Sequence, residues 1–306
     1  MIRALIIGSS GFIGRSLVRE LTLNGVDVCG VDKGGVSNVR QGWEVDVCDG
    51  PRIAEVLSQT QPQYVFHVAG SVSNTTGNLY EESTRVLLHA VREKARHAVV
   101  LVLGSAAEYG KSTRGSMFVG ESSPTQPVSD YGRAKLAQSE LARSLASELG
   151  LNVIRVRLFN TLGPGQSTML VAGAMIERLA NLSNNGKEIF PVKNPESIRD
   201  FLDVRDVSRV LWQVASHWKS PESGRLINIG TGVGTKIQNL ARDLIEACGE
   251  SLRLAPEPQE AGPEFDVVAD ITLLKGIIGD FLIQTIPVKT SLRDMWAWYM
   301  RSQQPR

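Results

Sequence analysis

The stretch Ala4-Leu5-Ile6-Ile7-Gly8-Ser9-Ser10-Gly11-Phe12-Ile13-Gly14 stands near the start of a chain of 306 residues. Its first four residues form a short apolar run, typical of a strand that is buried on both faces. After the glycines, Ile13, Leu17 and Leu21 recur at helical spacing until Gly25. A strand, a glycine turn and a helix make a dinucleotide-binding unit, because the glycines let the backbone approach a pyrophosphate and the helix start supplies N–H donors. The Gly-x-x-Gly-x-x-Gly spacing differs from the commonest fingerprint, and a simple tight turn is the alternative.

Further along, short apolar runs alternate with helical patterns. The predicted strands are 26–31, a short one before Asp46, 64–68, 99–103 and 152–159, and the predicted helices are 51–60, 79–96 and 131–149. This alternation predicts an α/β fold with a doubly wound parallel (Rossmann) sheet. We expect residues 1–160 with 200–230 to form the dinucleotide-binding domain. Residues 161–199 with 231–306 would form a smaller, mixed α/β substrate-binding domain.

The less regular second half contains further elements. We predict a loop over 110–130, a helix over 169–182, a turn-rich stretch over 183–194, a strand over 199–204 that leads into a helix to about 218, and a strand over 226–229. The last quarter predicts helices over 236–247, 270–278 and 288–300, with a loop over 256–264.

Ligands of such sheets bind beyond the carboxyl ends of the strands. Gly8, Asp32, Gly70 and Ser105 all fall at predicted strand ends. The small pair Ala69-Gly70 after Val68 would let a flat cofactor lie against the backbone.

Asp32 lies eighteen residues after Gly14, at the end of the second predicted strand. A carboxylate there would accept hydrogen bonds from the adenosine ribose and repel a 2′-phosphate, which favours NAD over NADP. Lys33 weakens this inference, because its charge could offset that of Asp32. Asp46 and Val47 follow the third predicted strand and could border the adenine.

The run Tyr131-Gly132-Arg133-Ala134-Lys135 opens an amphipathic helix pattern that Gly150 ends. Its apolar positions recur every three or four residues at Ala134, Ala137, Leu141, Leu145 and Leu149. Tyr131 and Lys135 leave the same helix face. A cation near a phenol lowers its pKa from about 10. The pair could therefore donate and accept a proton near pH 7, although the same spacing also occurs in solvated surface pairs.

Composition excludes several classes of function. The formal net charge of +1 and the scattered basic residues predict neither a nucleic acid nor a membrane as partner. The three cysteines, Cys29, Cys48 and Cys248, lie too far apart for a metal knuckle or a disulfide framework and predict a cytoplasmic protein. The four histidines show no metal-ligand spacing, and we interpret His67, inside an apolar strand, as a core residue.

Several ordered motifs together resemble those of the extended short-chain dehydrogenase/reductases, in particular the NAD-dependent nucleotide-sugar epimerase/dehydratase/reductase group. The landmarks are 8–14, His67-Val68-Ala69-Gly70, Ser105-Ala106-Ala107-Glu108-Tyr109-Gly110, 131–135, Arg157-Leu158-Phe159-Asn160 with Gly163-Pro164-Gly165, and Arg199-Asp200-Phe201 with Asp203-Val204. In motif the chain is most similar to UDP-sugar 4-epimerases and GDP-4-keto-6-deoxymannose reductases.

The resemblance implies a role for each matching residue. Tyr131 would be the acid/base, Lys135 would hold the nicotinamide ribose and lower the pKa of the tyrosine, and Ser105 would hydrogen-bond the reacting oxygen. Asn160 and Arg199 would meet the diphosphate of a nucleotide sugar; their alternatives are a strand cap and a surface ion pair. The cofactor, NAD or NADP, would be bound by Gly8, Ser10, Gly11, Phe12, Ile13, Gly14, Asp32, Asp46, Val47, Val68, Ala69, Gly70, Tyr131, Lys135 and Phe159. A homodimer and a site without metal are also implied.

Departures from the family pattern limit the reactions that the chain could catalyse. Dehydratases of this group carry Asp-Glu directly after the catalytic hydroxyl, where this chain has Ala106 and Ala107, so we reject water elimination. Glu108 before Tyr109 is more similar to the 4-keto-6-deoxyhexose reductases. Glu260 stands about where many relatives place a phosphate-binding arginine, which puts the substrate in doubt.

The sequence does not distinguish between two reactions that the same residues, Ser105, Tyr131 and Lys135, could carry out. An epimerase would use Tyr131 to remove the 4-hydroxyl proton and return it, whereas a reductase would use it to protonate a ketone. A reductase of a hydrophobic ketone and a non-catalytic dinucleotide sensor are weaker alternatives.

Overall fold

The computed structural model describes residues 1–36, 38–70, 79–110, 117–218, 223–257, 266–279 and 285–303. Seven strands form one parallel sheet: β1 (Arg3–Ile7), β2 (Asp27–Asp32), β3 (Gln41–Glu44), β4 (Tyr64–His67), β5 (Val99–Ser105), β7 (Asn152–Leu158) and β11 (Arg225–Ile229). Their spatial order is β11-β7-β5-β4-β1-β2-β3. The order runs outward from β1 in both directions, as in a doubly wound sheet.

Helices cover both faces of this sheet. Within the described ranges the helices of the whole fold are α1 (Phe12–Leu23), α2 (Gly50–Thr60), α3 (Leu79–Lys94), α4 (Asp130–Leu149), α5 (Val171–Asn184), α6 (Val204–His217), α7 (Ile237–Ala247), α8 (Thr272–Ile278) and α9 (Val288–Ser302). Ala4 and Ile6 of β1 join the apolar cluster that contains α1 and α6 side chains. Leu5 and Ile7 join the cluster of α2, α3 and α4. This alternation along a strand buries both faces and confirms the predicted Rossmann fold.

The remaining strands form three small sheets. They are β6 (Phe118–Val119), β8 (Asn160–Leu162), β9 (Ile189–Val192), β10 (Ile198–Asp203), β12 (Gly234–Lys236), β13 (Arg253–Pro256) and β14 (Val268–Ala269). Strand β10 lies between β12 and β8, while β13 pairs with β9 and β14 pairs with β6. A third apolar cluster joins α5, α7 and α9. We propose that this cluster is the core of the predicted substrate-binding domain, whose boundaries remain a prediction.

Two predicted irregular stretches contain strands. Strand β6 lies inside the predicted loop 110–130, and β9 lies inside the predicted turn-rich stretch 183–194. Both are two to four residues long and pair with segments more than sixty residues away. Strands this short show little periodicity, and their partners are set only by the tertiary fold.

A single residue connects β7 of the central sheet to the small sheet of β12, β10 and β8. Leu158 ends β7 and Asn160 begins β8, so Phe159 alone connects them. Phe159 is 3% exposed, and its N–H donates to the carbonyl of Ile229 at 2.9 Å. The junction is therefore packed into the core.

Candidate active site

The glycine turn after β1 is too tightly packed for side chains. Gly8 has a φ of +93°, and a Cβ built there would lie 2.7 Å from the backbone of Ala69. A Cβ on Gly14 would overlap the carbonyl of Gly8. The turn therefore brings bare backbone to the start of α1, and Gly11 lines the adjoining cavity. This geometry fits a dinucleotide pyrophosphate.

Asp32 is tied to that turn. Its Oδ2 accepts a hydrogen bond from the N–H of Ser10 at 3.0 Å. The ammonium of Lys33 instead pairs with Asp46 at 3.1 Å. The pKa of Asp46 is lowered, first by a hydrogen bond from the backbone of Cys48 and then by Lys33. Lys33 therefore makes its ion pair with Asp46 and not with Asp32.

One cavity of about 540 Å³ brings most of the predicted site residues together. Twelve of them line it: Gly11, Phe12, Ile13, Val68, Ala69, Gly70, Ser105, Tyr131, Lys135, Phe159, Asn160 and Arg199. The six that do not line it are Gly8, Ser10, Gly14, Asp32, Asp46 and Val47. A more open depression of about 630 Å³, between α4 and the start of β11, contains none of the predicted residues.

Ser105 ends β5 and caps a short 3-10 turn, Ala106–Glu108. Its N–H donates to Oε1 of Glu108 at 2.8 Å, and its hydroxyl accepts from the N–H of Ala107 at 3.2 Å. Glu108 is fully buried and points away from the cavity, toward Arg157, whose Nε donates to Oε2 at 2.7 Å. Glu108 therefore contacts the backbone of Ser105 and does not line the cavity.

Helix α4 begins against this turn. The hydroxyl of Ser129 caps it by accepting from the N–H of Gly132 at 3.1 Å. A Cβ on Gly132 would lie 2.5 Å from the carbonyl oxygen of Ala107. A glycine at this position lets the start of the helix pack closely against the turn that Ser105 caps.

The buried face of α4 differs from the predicted apolar stripe. Of the predicted positions, only Leu145 is fully buried; the others are half-buried. The buried face comprises Gly132, Lys135, Gln138, Ser139, Ala142, Leu145 and Ala146. Three of these side chains are polar: Lys135 lines the cavity, Gln138 contacts Lys135, and Ser139 accepts a hydrogen bond from Arg155. A stripe chosen by hydrophobicity alone therefore differs from the buried face.

Lys135 is 4% exposed. Its Nζ donates to the carbonyl of Leu103 at 2.8 Å and to Oε1 of Gln138 at 2.9 Å. Burial lowers the pKa of Lys135 to about 7, although the charge of Glu108 opposes this shift. Gln138 in turn donates to Thr84 of α3 at 2.9 Å.

The pKa of Tyr131 departs from its ordinary value in the direction opposite to the one predicted. Burial raises it first and the neighbouring Tyr80 adds to the increase, while the hydrogen bond with Ser105 lowers it. The expectation that Lys135 lowers this pKa is therefore wrong for the protein alone, because burial penalises the phenolate more than its neighbours stabilise it.

Asn160 and Arg199 lie on neighbouring strands at the other side of the cavity. Asn160 begins β8, and its Nδ2 donates to the carbonyl of Asp200 at 3.0 Å. Arg199 lies on β10, two residues before Phe201, which pairs with Asn160. Both therefore face the cavity from the small sheet. Glu260 lies outside the described residues.

His67 is a core residue, as predicted. It is 1% exposed, and its Nε2 lies 3.2 Å from the hydroxyl of Ser83. Burial, with a contribution from Lys135, lowers its pKa to about 3. Within the described ranges no group of three or more His, Cys, Asp or Glu could hold a metal ion. Among the helices of those same ranges, none has the length and apolar character to cross a bilayer.

Sequence reasoning missed several cavity residues. Tyr80, Thr161, Gln166 and Ser167 line the cavity, and Gln138 contacts Lys135. Gln138 could have been found, because it lies three positions after Lys135 on the same helix face. Tyr80 could not, because α3 and α4 are brought together only by the fold.

A glycine turn at the end of β1, together with Ser105 at the end of β5 and Tyr131 and Lys135 on α4, is the arrangement of an extended short-chain dehydrogenase/reductase. The chain belongs to the NAD-dependent epimerase/dehydratase family, whose model matches residues 4–230. The family, fold and NAD(P) predictions are thereby confirmed.

Known relatives match between 71% and 97% of the chain. The dTDP-6-deoxy-L-talose 4-dehydrogenase (NAD(P)(+)) of Kitasatospora kifunensis is 26% identical over 96% of this chain and 94% of that protein. The dTDP-L-rhamnose 4-epimerase of Burkholderia thailandensis is 28% identical over 71% of this chain and 68% of its own. The structure of UDP-glucose 4-epimerase from Brucella ovis with NAD superposes with a TM-score of 0.83, at 25% identity, over 97% of this chain and 98% of that one.

Proposed function

We propose that the protein is an NAD-dependent oxidoreductase/epimerase that acts at C4 of a nucleotide-activated sugar through Ser105, Tyr131 and Lys135. One observation carries the proposal: these three residues line the same cavity as Gly11 of the glycine turn on one side and Asn160 and Arg199 on the other. The printed names of two relatives, a 4-dehydrogenase and a 4-epimerase of dTDP sugars, support position 4.

The residues present fit a nicotinamide dinucleotide. The backbone of the glycine turn would hold its pyrophosphate, Asp32 its adenosine ribose, and Val68–Gly70 with Phe159 its flat rings. Asp46 and Val47, which do not line the cavity, remain predicted adenine contacts. When bound, the nicotinamide accepts or gives a hydride at the reacting carbon. The carboxylate of Asp32 favours NAD over NADP, since it would repel a 2′-phosphate.

The chain's own side chains manage the proton. In the oxidising direction Tyr131 accepts the hydroxyl proton of the sugar, and in the reducing direction it returns a proton to the ketone oxygen. Ser105 donates a hydrogen bond to the same oxygen and stabilises the charge that develops there. Lys135 holds its positive charge one helical turn away. Epimerisation needs both directions on opposite faces of one sugar.

The sugar nucleotide would lie between the two sheets. Arg199 would make charge-assisted hydrogen bonds to the diphosphate, and Asn160 would hydrogen-bond beside it. Ala106 and Ala107 line the cavity next to Ser105 and carry no acid or base. Their methyl groups support the rejection of water elimination, which needs both.

The second candidate is a 4-keto-6-deoxy sugar nucleotide reductase that uses NAD(P)H. It is favoured by Glu108 and by the relative from Kitasatospora kifunensis, whose name states a 4-dehydrogenase with NAD(P)(+). A reductase of a non-sugar ketone is less favoured, because Arg199 supplies a cation for a diphosphate. A non-catalytic sensor is less favoured because the Ser–Tyr–Lys cluster is complete.

Cofactor identity separates the two candidates. The protein is purified without added nucleotide, the bound cofactor is released and identified, and the protein is then assayed with UDP- and dTDP-sugars. Near-stoichiometric NAD⁺ together with interconversion of C4 epimers would support the epimerase. A protein without bound cofactor that oxidises NADPH with a 4-keto sugar nucleotide would replace it with the reductase. No turnover in either assay would refute both.

We also propose a cytoplasmic homodimer. The half-buried Ala134 and Ala137 of α4 offer small apolar side chains for a second copy. Each of the three cysteines is free, in keeping with a reducing compartment. Light scattering coupled to size-exclusion chromatography tests the assembly, and a monomer at micromolar concentration would refute it.

A further inference from the structure

Tyr80, the second residue of α3, is buried beside the proposed catalytic residues. It is 3% exposed and lines the cavity. A Cβ built on Gly70 would lie 2.7 Å from its Cε1, so the ring packs directly against the backbone at the end of β4. This packing fixes the position of the ring.

The ring contacts both members of the Tyr–Lys pair. The Nζ of Lys135 lies 4.2 Å from the centre of the Tyr80 ring. The rings of Tyr80 and Tyr131 meet edge to face, with centroids 6.2 Å apart and an interplanar angle of 75°. An aromatic face attracts a cation through its quadrupole, and the attraction is stronger where water is excluded. The ammonium of Lys135 faces such a ring, and water is excluded from it because the residue is only 4% exposed.

The ring face of Tyr80 contributes to the charged form of Lys135 separately from the other groups around it. Leu103 and Gln138 each accept one hydrogen bond from Nζ. The titratable groups that act on it or near it are Glu108, His67, Tyr131 and Tyr80. Glu108 is neutralised in part by Arg157, and His67 is uncharged near pH 7 because its pKa is about 3. Burial of the ammonium is therefore offset at short range by carbonyl oxygens and one aromatic face.

We propose that Tyr80 is a positioning residue of this active site, whose ring face stabilises the charged form of Lys135 beside Tyr131. The assignment rests on the proposed role of Lys135. This role has a specific consequence. Removal of the whole Tyr80 ring makes the amine of Lys135 easier to deprotonate, whereas removal of the hydroxyl alone does not. The phenol of Tyr131 then loses a neighbouring cation at neutral pH.

Competitive labelling tests this without any sugar substrate. Protein as purified, with nucleotide content matched between variants, is treated with trace acetic anhydride from pH 5 to 10. Acetylation of Lys135 is then compared by mass spectrometry with that of Lys33, whose side chain is 82% exposed. Only the neutral amine reacts. We expect Tyr80→Phe to match the wild type, and Tyr80→Leu to react about tenfold faster at pH 5 relative to Lys33.

A matched control separates the ring face from general packing. Tyr64 also makes an edge contact, with Trp212 at 5.1 Å, and lies outside the cavity. Tyr64→Leu should leave the labelling of Lys135 unchanged. If Tyr80→Leu does not fold, Tyr80→Met replaces it, because methionine is similar in length and has no ring.

The outcomes are distinguishable. An unchanged labelling curve in Tyr80→Leu, or an equal shift in Tyr80→Phe, would overturn the proposal. A shifted curve in a protein that turns over no nucleotide sugar would support the role of Tyr80 and refute only the proposed function. In an active protein, Tyr80→Leu should also move the alkaline limb of the reduction rate to lower pH, and Tyr80→Phe should not.

Discussion

The carboxylate of Glu108 connects Arg157 to Ser105: one oxygen accepts from Nε of Arg157 at 2.7 Å, and the other accepts from the N–H of Ser105 at 2.8 Å. Both charged side chains are at least 97% buried. A buried ion pair contributes little compared with an apolar pair of the same size, but loss of one partner leaves an uncompensated charge. Burial raises the pKa of Glu108, and Arg157 opposes this increase.

Arg157→Met should therefore lower the free energy of unfolding by about 3–5 kcal/mol, measured by urea denaturation. The double variant Glu108→Leu/Arg157→Met should recover much of this loss, because no charge is then left unpaired. It should nevertheless turn over slowly, since the backbone N–H of Ser105 has lost the Glu108 carboxylate that accepts its hydrogen bond. A double variant that is as unstable as the single one would contradict this account.

Tyr131→Phe removes the proposed acid/base and keeps the ring. Turnover should fall about 10²–10⁴-fold while nucleotide binding changes little. Steady-state rates and NADH fluorescence titration measure the two effects. Tyr64→Phe, on the central sheet beside Trp212, is the matched control. Full activity in Tyr131→Phe would show that another group moves the proton.

Asp32 can be dissected with two substitutions. Asp32→Asn keeps an acceptor for the N–H of Ser10 and loses the charge, whereas Asp32→Ala loses both. We expect both to weaken NAD binding by about 10–100-fold, as for a lost hydrogen bond to a charged group. NADP binding should weaken less or improve, because the repulsion is removed. Dissociation constants for both nucleotides test this, and an unchanged NAD/NADP ratio would contradict it.

His67 predicts a pH dependence of stability. Its folded-state pKa, about 3, lies below the unfolded value of about 6.5, so the unfolded chain binds more protons between these two pH values. Stability due to neutral His67 is complete above pH 6.5 and is lost as the pH falls, by at most about 1.4 kcal/mol per pH unit. Urea unfolding of the wild type and His67→Gln at pH 7.5, 6 and 5 should show a difference that changes in this window. Parallel curves would contradict the assignment.

Two helical glycines should respond oppositely to alanine. A Cβ on Gly132 would meet the carbonyl of Ala107 at 2.5 Å, whereas one on Gly276 of α8 has nothing within 4 Å. Gly276→Ala should stabilise the protein by about 0.5–1 kcal/mol through helix propensity. Gly132→Ala should instead destabilise it by about 1–3 kcal/mol and lower turnover, since α4 must move away from Ser105. Thermal melts and rates measure both; equal shifts would argue against close packing at Gly132.

Much of the architecture follows from local patterns. The glycine turn, the parallel strands and the ends of α4 depend on neighbouring residues, so the spacing of Gly8 to Gly14 and the cap at Gly150 could be predicted. Gly70 and Ser105 could be placed at the same edge of the sheet, because both stand at the carboxyl ends of predicted parallel strands. The pairing of β6 with β14 depends on contacts made only in the folded chain and could not be predicted.

The electrostatics of the site follow the same division. Spacing on one helix placed Lys135 near Tyr131, but burial depends on all the packed elements and raised the pKa of the tyrosine instead of lowering it. Glu108 belongs to the sequence motif that begins at Ser105 and ends at Gly110. Its partner Arg157 lies 49 residues away, and only the fold shows that they form one pair.

The single residue between β7 and β8 has a consequence for recombining this protein with its relatives. Buried Phe159 is the single residue that joins the proposed nucleotide half of the cavity to the proposed sugar half, so a crossover placed there would transplant one half in a rotated or displaced orientation. Exchange of sugar specificity is better attempted by grafting side chains onto the existing strands. Hybrids cut at this junction should fold poorly even when each parent is stable.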